Sequence, residues 1–267
     1  MYDTLRVERE NHLTWLVLNR PASLNSLNRT MVRELRDFFW SLPADRQTRV
    51  LAIRGEGRAF CAGLDLKEQS EGASDGEAGS IPATLRRQRE ISEIPLLMRR
   101  APQPIIAAVH GPACGGGFAI ALASDVRVAG DSIRMNAAFI RLGLSACDVG
   151  VSYFLPRIVG ASVAAELLLT GNFIDAARAA HTGLVSRVVP DEELIAETRI
   201  LAADMLRNSP LGLRLTKECL KLSLDAGSLE EVIAMEDRNQ ALTAQTEDFR
   251  EGVVAFLQKR PPAFGDR

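Results

Sequence analysis

The stretch HGPACGGGFAIALASD, residues 110–125, decides the architecture of the chain. Four of its first eight residues are glycine, and three of these, Gly115 to Gly117, are consecutive. Glycine costs about 0.5–1 kcal/mol relative to alanine in a regular element, so a run of glycines indicates a close approach to bare backbone. The apolar run PIIAAVHG precedes the glycines, and VRVAG follows the segment FAIALASD. This pattern predicts strand, short helix near Phe118 and strand, and hence an α/β protein.

The same alternation extends outward from this stretch. TLRVERE and HLTWLVLNR have period two and predict a strand pair, NRTMVRELRDFFWSL predicts a helix capped by Asn28 or Thr30, and RVLAIRGEG predicts a buried strand. Residues 69–80 are rich in Gly, Ser and Glu and predict a loop, and residues 83–100 have helical spacing. This loop and helix form either a wall over a pocket or a plain surface insertion. From Asp191 onward the chain is nearly all helical by period.

Composition narrows the class of protein. The 267 residues carry a formal net charge of −2 and are 46% hydrophobic, which is ordinary for a globular protein and offers no general attraction for nucleic acid or anionic lipid. The sequence lacks an apolar stretch like that of a signal peptide and any run of the ~18 apolar residues that a membrane span needs. The four cysteines lack metal-ligand spacing, so we expect no metal site, free thiols and a cytoplasmic location.

Two other glycine motifs fit the stretch poorly. A dinucleotide-binding turn has G-x-G-x-x-G with an acid about 20 residues on, whereas here the glycines are consecutive and Asp131 lies 16 residues after Gly115. A hydrolase nucleophile would need G-x-S-x-G, and residues 143–147 lack the closing glycine. Of the three histidines, His110 adjoins the glycines, either as a base or, more simply, as a cap on a strand end.

A second glycine-bearing segment, RAFCAGLDLKE at residues 58–68, predicts a strand followed by a turn through Gly63. Two such turns can aim two backbone N–H groups at one oxygen, which is how an oxyanion hole is built. They can equally be two ordinary tight turns, and their spacing alone does not decide between these readings.

The pairing of AFCAGLDL with AAVHGPACGGGFAIALASDVRVAG resembles the enoyl-CoA hydratase/isomerase family, also called the crotonase superfamily. Further similarity lies in LNRPASLNSL, LPRIVG, LLTGNFIDAARAAHTGLVSRVV and TEDFREGVVAFLQKRPP, so the resemblance spans essentially the whole chain. It implies an α/β spiral of ββα repeats over residues 1–195 and a C-terminal helical trimerisation region over residues 196–267. It also implies an acyl-CoA thioester as substrate, no separate cofactor because coenzyme A arrives with the substrate, and a homotrimer or a dimer of trimers.

The resemblance also assigns site residues by motif. The oxyanion donors fall on the N–H groups of Leu64 and Gly116, with the first turn of the following helix directed at the developing charge. Asp65 either contacts coenzyme A or mainly stabilises its turn. The positions implied in binding the coenzyme A moiety, the last two from a neighbouring subunit, are Ala22, Leu24, Ala62, Gly63, Asp65, Leu66, Gly115, Phe256 and Lys259.

The chain departs from the hydratase pattern of the family at its acids. The resemblance implies that a hydratase of this family uses two glutamates to transfer protons. The corresponding positions here are Ala119 and Phe139, neither of which can transfer a proton. Asp148 matches an aspartate that dienoyl-CoA isomerase-like members use as a proton carrier and that dehalogenase-like members use as a nucleophile; alternatively it caps a helix. Three readings stay open: a hydratase by family, a single-acid isomerase using Asp148, and a catalytically reduced acyl-CoA-binding protein.

Overall fold

The structure is a computed structural model that describes residues 2–68 and 80–267. Of the predicted loop at residues 69–80, residues 69–79 therefore lie outside the described residues. The chain begins with the expected antiparallel pair of strands, β1 (Leu5–Glu10) and β2 (Leu13–Leu18). Every residue of β2 is buried, because this strand lies inside a larger sheet with apolar layers on both faces.

Four strands join β1 and β2 in the main sheet, namely β3 (Val50–Gly55), β4 (Ile105–Val109), β6 (Val126–Gly130) and β9 (Arg187–Val189). The order across the sheet is β1-β2-β3-β4-β6-β9, and every pairing after the first is parallel. Three of its strands are those predicted from the runs RVLAIRGEG, PIIAAVHG and VRVAG. Since β3 and β4 are parallel neighbours, the two glycine-bearing turns that follow them leave the same edge of the sheet.

A second, smaller sheet combines β5 (Pro112–Cys114), β7 (Arg134–Asn136) and β8 (Ile174–Asp175). Its strands β5 and β7 pair in parallel, and each follows directly on a strand of the main sheet. The order β4, β5 and then a helix is one ββα unit, and β6 with β7 begins the next. The α/β class and the crotonase-like spiral predicted from the sequence are confirmed.

Helices cover the face of the main sheet formed by side chains such as Leu16 and Ile53. Of the two caps predicted for the first of them, Asn28 and Thr30, it is Asn28 that accepts the N–H of Met31, at 2.9 Å. Ser80 caps the second helix, which begins two residues before the predicted start. The α-helices that the structure describes from end to end before residue 182 are α1 (Arg29–Ser41), α2 (Ile81–Arg100), α3 (Gly116–Ala123), α4 (Val151–Val159), α5 (Ala161–Thr170) and α6 (Ala176–His181).

The opposite face of the sheet is covered by α7 (Leu194–Leu206). Leu194 and Ala202 of this helix are buried against a second apolar cluster that includes Trp15 and Ile106. The boundary predicted between residues 195 and 196 falls inside α7. The division of the chain into a core and a C-terminal helical region stays a prediction.

The chain ends in α8 (Pro210–Ser223), α9 (Leu229–Thr243) and α10 (Glu247–Leu257), as the helical period after Asp191 predicts. Lys217 ties α8 to the core: its ammonium lies 2.8 Å from the carboxylate of Asp125 and donates to the carbonyl of Gln103 at 2.8 Å. Among the described residues, no helix is both long and apolar enough to cross a membrane. These last helices expose large apolar side chains, among them Leu220, Leu242, Phe249, Phe256 and Leu257.

Candidate active site

The glycine run builds a turn that only small residues can form. Gly115 has a φ of 50° and precedes α3, which begins at Gly116 rather than near Phe118. A Cβ on Gly117 would lie 2.2 Å from the carbonyl oxygen of Cys61, so the start of α3 packs directly on the backbone of the second turn. Because α3 begins at Gly116, the backbone N–H of Gly116 has no partner within the helix.

The second turn has a similar free donor at Leu64. Leu27 and Leu64 form an isolated parallel bridge, in which the N–H of Leu27 donates to Gly63 O at 2.7 Å and the N–H of Asp65 donates to Leu27 O at 3.1 Å. In this pairing the N–H of Leu64 itself faces away from Leu27. Residues 58–65 make only such single bridges, so the strand predicted for this segment is not formed.

The two turns are joined directly by backbone contacts. The backbone N–H of Cys61 donates to Pro112 O at 3.1 Å, and the backbone N–H of Cys114 donates to Cys61 O at 2.9 Å. A Cβ on Gly63 would lie 2.8 Å from Cys114 O and 3.6 Å from the nitrogen of Gly116, so the turns touch where both lack side chains. In the described part of the chain, neither the N–H of Leu64 nor that of Gly116 has an acceptor. Two unsatisfied donors in touching turns can bind one oxygen.

Asp65 stabilises the second turn. Its carboxylate accepts hydrogen bonds from Arg20 at 2.9 Å and from the hydroxyl of Ser26 at 3.2 Å. Burial opposes the charged form, but these hydrogen bonds and the Arg20 charge outweigh it and hold the pKa of Asp65 below its ordinary value. Asp65 therefore stabilises its turn, and its contact with coenzyme A stays a prediction.

The other predicted coenzyme A positions divide into two groups. Ala62 donates to Leu24 O at 2.9 Å, which attaches the chain around Ala22 and Leu24 to the second turn, and Leu66 is half exposed beside it. Phe256, by contrast, is 83% exposed and lines a groove between α8, α9 and α10 that none of the turn residues lines. Lys259 follows α10 with a φ of 51°. For these last two, contact with a neighbouring subunit's coenzyme A stays a prediction.

The two positions expected to carry glutamate are apolar and buried. Ala119 lies on the first turn of α3 with 2% of its surface exposed, and Phe139 is 8% exposed. The Phe139 ring packs against the glycine turn, 3.4 Å from where a Cβ on Gly115 would lie. His110 is not engaged there, because its Nε2 lies 2.7 Å from Gly57 O, as expected for a cap on a strand end.

Asp148 is the acid that sequence analysis singled out, and it precedes α4, which packs against α3. Its carboxylate is half-buried and accepts hydrogen bonds from the N–H of Val149 at 2.8 Å and from the side-chain amide of Gln88. Burial raises the pKa of Asp148 above its ordinary value, and the two hydrogen bonds only partly offset this.

Gln88 is the residue that sequence reasoning missed. It lies on α2, and because α2 and α4 both pack against α3, Gln88 comes within hydrogen-bond distance of Asp148, which precedes α4. Helical spacing placed residues 83–100 in a helix correctly, but spacing does not indicate which of its polar side chains turns toward a carboxylate 60 residues later.

Comparison with known proteins agrees with this architecture. Residues 8–267 match the family model described as enoyl-CoA hydratase/isomerase. A probable enoyl-CoA hydratase of Mycobacterium tuberculosis is 39% identical over 261 residues, which cover 94% of this chain and 88% of the relative. The 2,3-dehydroadipyl-CoA hydratase of Escherichia coli is 37% identical over 263 residues, covering 98% of this chain and 99% of the relative.

Solved structures give the same result. A putative enoyl-CoA hydratase from Streptomyces coelicolor superposes with a TM-score of 0.94 at 35% identity, covering 100% of this chain and 96% of that one. An enoyl-CoA hydratase from Bacillus anthracis superposes with a TM-score of 0.92 at 31% identity, covering 99% and 100% of the two chains. The chain therefore belongs to the enoyl-CoA hydratase/isomerase family and is an enzyme of the hydratase/isomerase type that acts on an acyl-CoA thioester.

Proposed function

We propose that the chain is a single-acid enoyl-CoA isomerase, in which Leu64 and Gly116 stabilise a thioester enolate and Asp148 moves the proton. The observation that carries the proposal is the combination of two N–H groups without acceptors in touching turns and one half-buried carboxylate of raised pKa. Such a pair of donors favours negative charge on an oxygen, and a carboxylate of raised pKa is a stronger base than an ordinary one and is therefore better suited to removing a proton.

The reaction follows from these groups. The thioester oxygen accepts hydrogen bonds from the N–H groups of Leu64 and Gly116. Asp148 removes a proton from the carbon beside the thioester carbonyl, and the electron pair of that C–H bond forms the enolate. Each oxyanion donor is worth about 2.7–4 kcal/mol in the transition state. The protonated Asp148 then returns its proton to the far carbon of the former double bond, so the double bond shifts and no water is consumed.

Isomerisation is favoured over hydration because the two positions expected to carry glutamate have no group that can transfer a proton. Addition of water needs one group to activate the water and usually a second to move the α-proton. Ala119 and Phe139, both buried, can do neither. The relatives are named as hydratases, so hydration by Asp148 and an ordered water is the competing outcome that an experiment must separate.

The proposed assembly is a homotrimer or a dimer of trimers. Its support is the set of large apolar side chains exposed on α8, α9 and α10, which a neighbouring copy can cover. In that assembly Phe256 and Lys259 contact the coenzyme A bound by a neighbour, while Ala22, Leu24, Ala62 and Leu66 contact it within one chain. No separate cofactor is needed, and a cytoplasmic location remains a prediction.

The experiment is a product analysis with matched substrates. The purified protein is incubated with 2-enoyl-CoA and 3-enoyl-CoA esters of several chain lengths, and the products are separated and weighed by mass spectrometry. The proposal expects interconversion of the two positional isomers without change of mass. A product heavier by one water as the main species would establish a hydratase, and retention of the esters without turnover would establish a binding protein; either result overturns the proposal.

A further inference from the structure

The hydrogen bonds of Asp148 are distributed unevenly over its two oxygens. The N–H of Val149 and the side-chain amide of Gln88 both donate to Oδ1. No donor among the described residues reaches Oδ2. One oxygen of the carboxylate is thus held by two donors, while the other has none in the described part of the chain.

The backbone that presents this carboxylate is strained. Val149 has a φ of 42°, a value that a β-branched residue rarely adopts, and Gly150 follows with a φ of 86°. Strain of this kind costs of the order of 1–3 kcal/mol and persists only where the surrounding structure enforces it. Here Val149 is buried in the main core, and the N–H of Val151 donates to the carbonyl of Asp148 at 2.9 Å. The tight turn holds the Val149 N–H against Oδ1.

We propose that Gln88 is a positioning residue that, with the Val149 N–H, holds Oδ1 of Asp148 in hydrogen bonds and leaves Oδ2 as the oxygen that exchanges the proton. This inference rests on the proposed function, because it assigns the atom through which Asp148 acts. Gln88 is suited to the role, since its amide donates at any pH and carries no charge that would compete for the proton.

The arrangement also sets how basic the carboxylate is. Burial of Asp148 favours the protonated form, and the two donors to Oδ1 favour the charged form. No charged side chain among the described residues contributes to the shift. The titratable neighbours along the chain are Cys147 on the same loop and Arg87 and Arg89 beside Gln88 on α2. Removing the Gln88 amide should therefore raise the pKa of Asp148 further.

The test replaces Gln88 by methionine, which has a similar length but no hydrogen-bond donor. The matched control is Gln47→Met, at an exposed position distant in sequence from both Gln88 and Asp148. The carboxyl carbon of Asp148 is titrated by ¹³C NMR in the free protein, and its signal is assigned by its loss in Asp148→Asn. Gln88→Met should raise the pKa of Asp148 by about one unit, the equivalent of one hydrogen bond to a charged group. Gln47→Met should leave it unchanged.

The pH dependence of kcat/KM with the 3-enoyl-CoA esters provides the second readout. In Gln88→Met the rise of kcat/KM with pH should shift to higher pH by the same interval as the NMR titration, with little change in KM. In the double variant, adding Gln88→Met to Asp148→Asn should cause no further loss of activity. An unshifted NMR titration of Asp148 in folded Gln88→Met overturns the positioning role. So does an equal loss of activity when Gln88→Met is introduced into wild type and into Asp148→Asn. Full activity of Asp148→Asn would instead overturn the proposed function, so the two failures are distinguishable.

Discussion

Replacing Gly116 by proline tests the oxyanion assignment, because proline removes the one backbone N–H in question. The first residue of a helix is where proline is best accommodated, since that N–H has no partner within the helix. Gly115, which precedes it, has no Cβ to clash with the proline ring. A Cβ at position 116 would lie 2.7 Å from Cδ1 of the buried Leu27, so any substitution there displaces the tip of that side chain.

Gly116→Ala is the matched control, because it introduces the same Cβ against Leu27 but keeps the N–H. Loss of one oxyanion donor lowers kcat by about 10²–10³-fold in comparable sites. We therefore expect Gly116→Pro to lose about that much activity relative to Gly116→Ala, and not merely relative to wild type. The assay is the rate of interconversion of 2-enoyl-CoA and 3-enoyl-CoA esters at saturating substrate, with circular dichroism to establish that both variants are folded. Equal activity of the two variants would refute the assignment.

The remaining predictions concern stability and assembly. Lys217→Met leaves Asp125 without its buried partner and should lower the free energy of unfolding by about 3 kcal/mol, measured by urea denaturation; an unchanged midpoint would contradict the anchoring role of Lys217. The raised pKa of Asp148 means that the native state binds the proton more tightly than the unfolded state, so wild-type stability falls as pH rises from the ordinary carboxyl value of 3.8 to the raised one. Asp148→Asn should thus be more stable than wild type at pH 7 and equal to it well below 3.8, and thermal melts that show no such pH-dependent difference would count against the burial argument. Light scattering should give the mass of a trimer or of two trimers, and a stable monomer at micromolar concentration would exclude the proposed neighbour contacts of Phe256 and Lys259.

Local sequence patterns were sufficient for most of the framework. The apolar strands, the cap at Asn28 and the need for bare backbone at Gly117 all follow from rules that act over a few residues, and the structure confirms them. The helix starts at Gly116 and not, as expected, near Phe118. Glycine has no side chain and so adds nothing to the apolar pattern, although the backbone is already helical at Gly116 and Gly117.

The details of the site depend on contacts between distant segments. The Leu27–Leu64 bridge determines which way the Leu64 N–H faces, and no short-range signal marks that pairing. Gln88 reaches Asp148 only because α2 and α4 both pack on α3. The positive φ of Val149 contradicts the local preference of valine, so propensity alone would have placed the Asp148 carboxylate differently. Family resemblance identified Asp148, and the tertiary structure adds which of its oxygens is engaged.

The most direct test of the account is the exchange of α-hydrogens of saturated acyl-CoA esters, such as butyryl-CoA and octanoyl-CoA, in D₂O. This exchange requires the enolate and the proton carrier but no particular double bond, and mass spectrometry measures it directly. The wild-type protein should incorporate deuterium, and Asp148→Asn should lose about 10²–10⁴-fold of the exchange rate, with ester binding unchanged by calorimetry. Exchange that survives in Asp148→Asn to within about threefold, well short of the general acid–base contribution, would contradict the claim that Asp148 moves the proton.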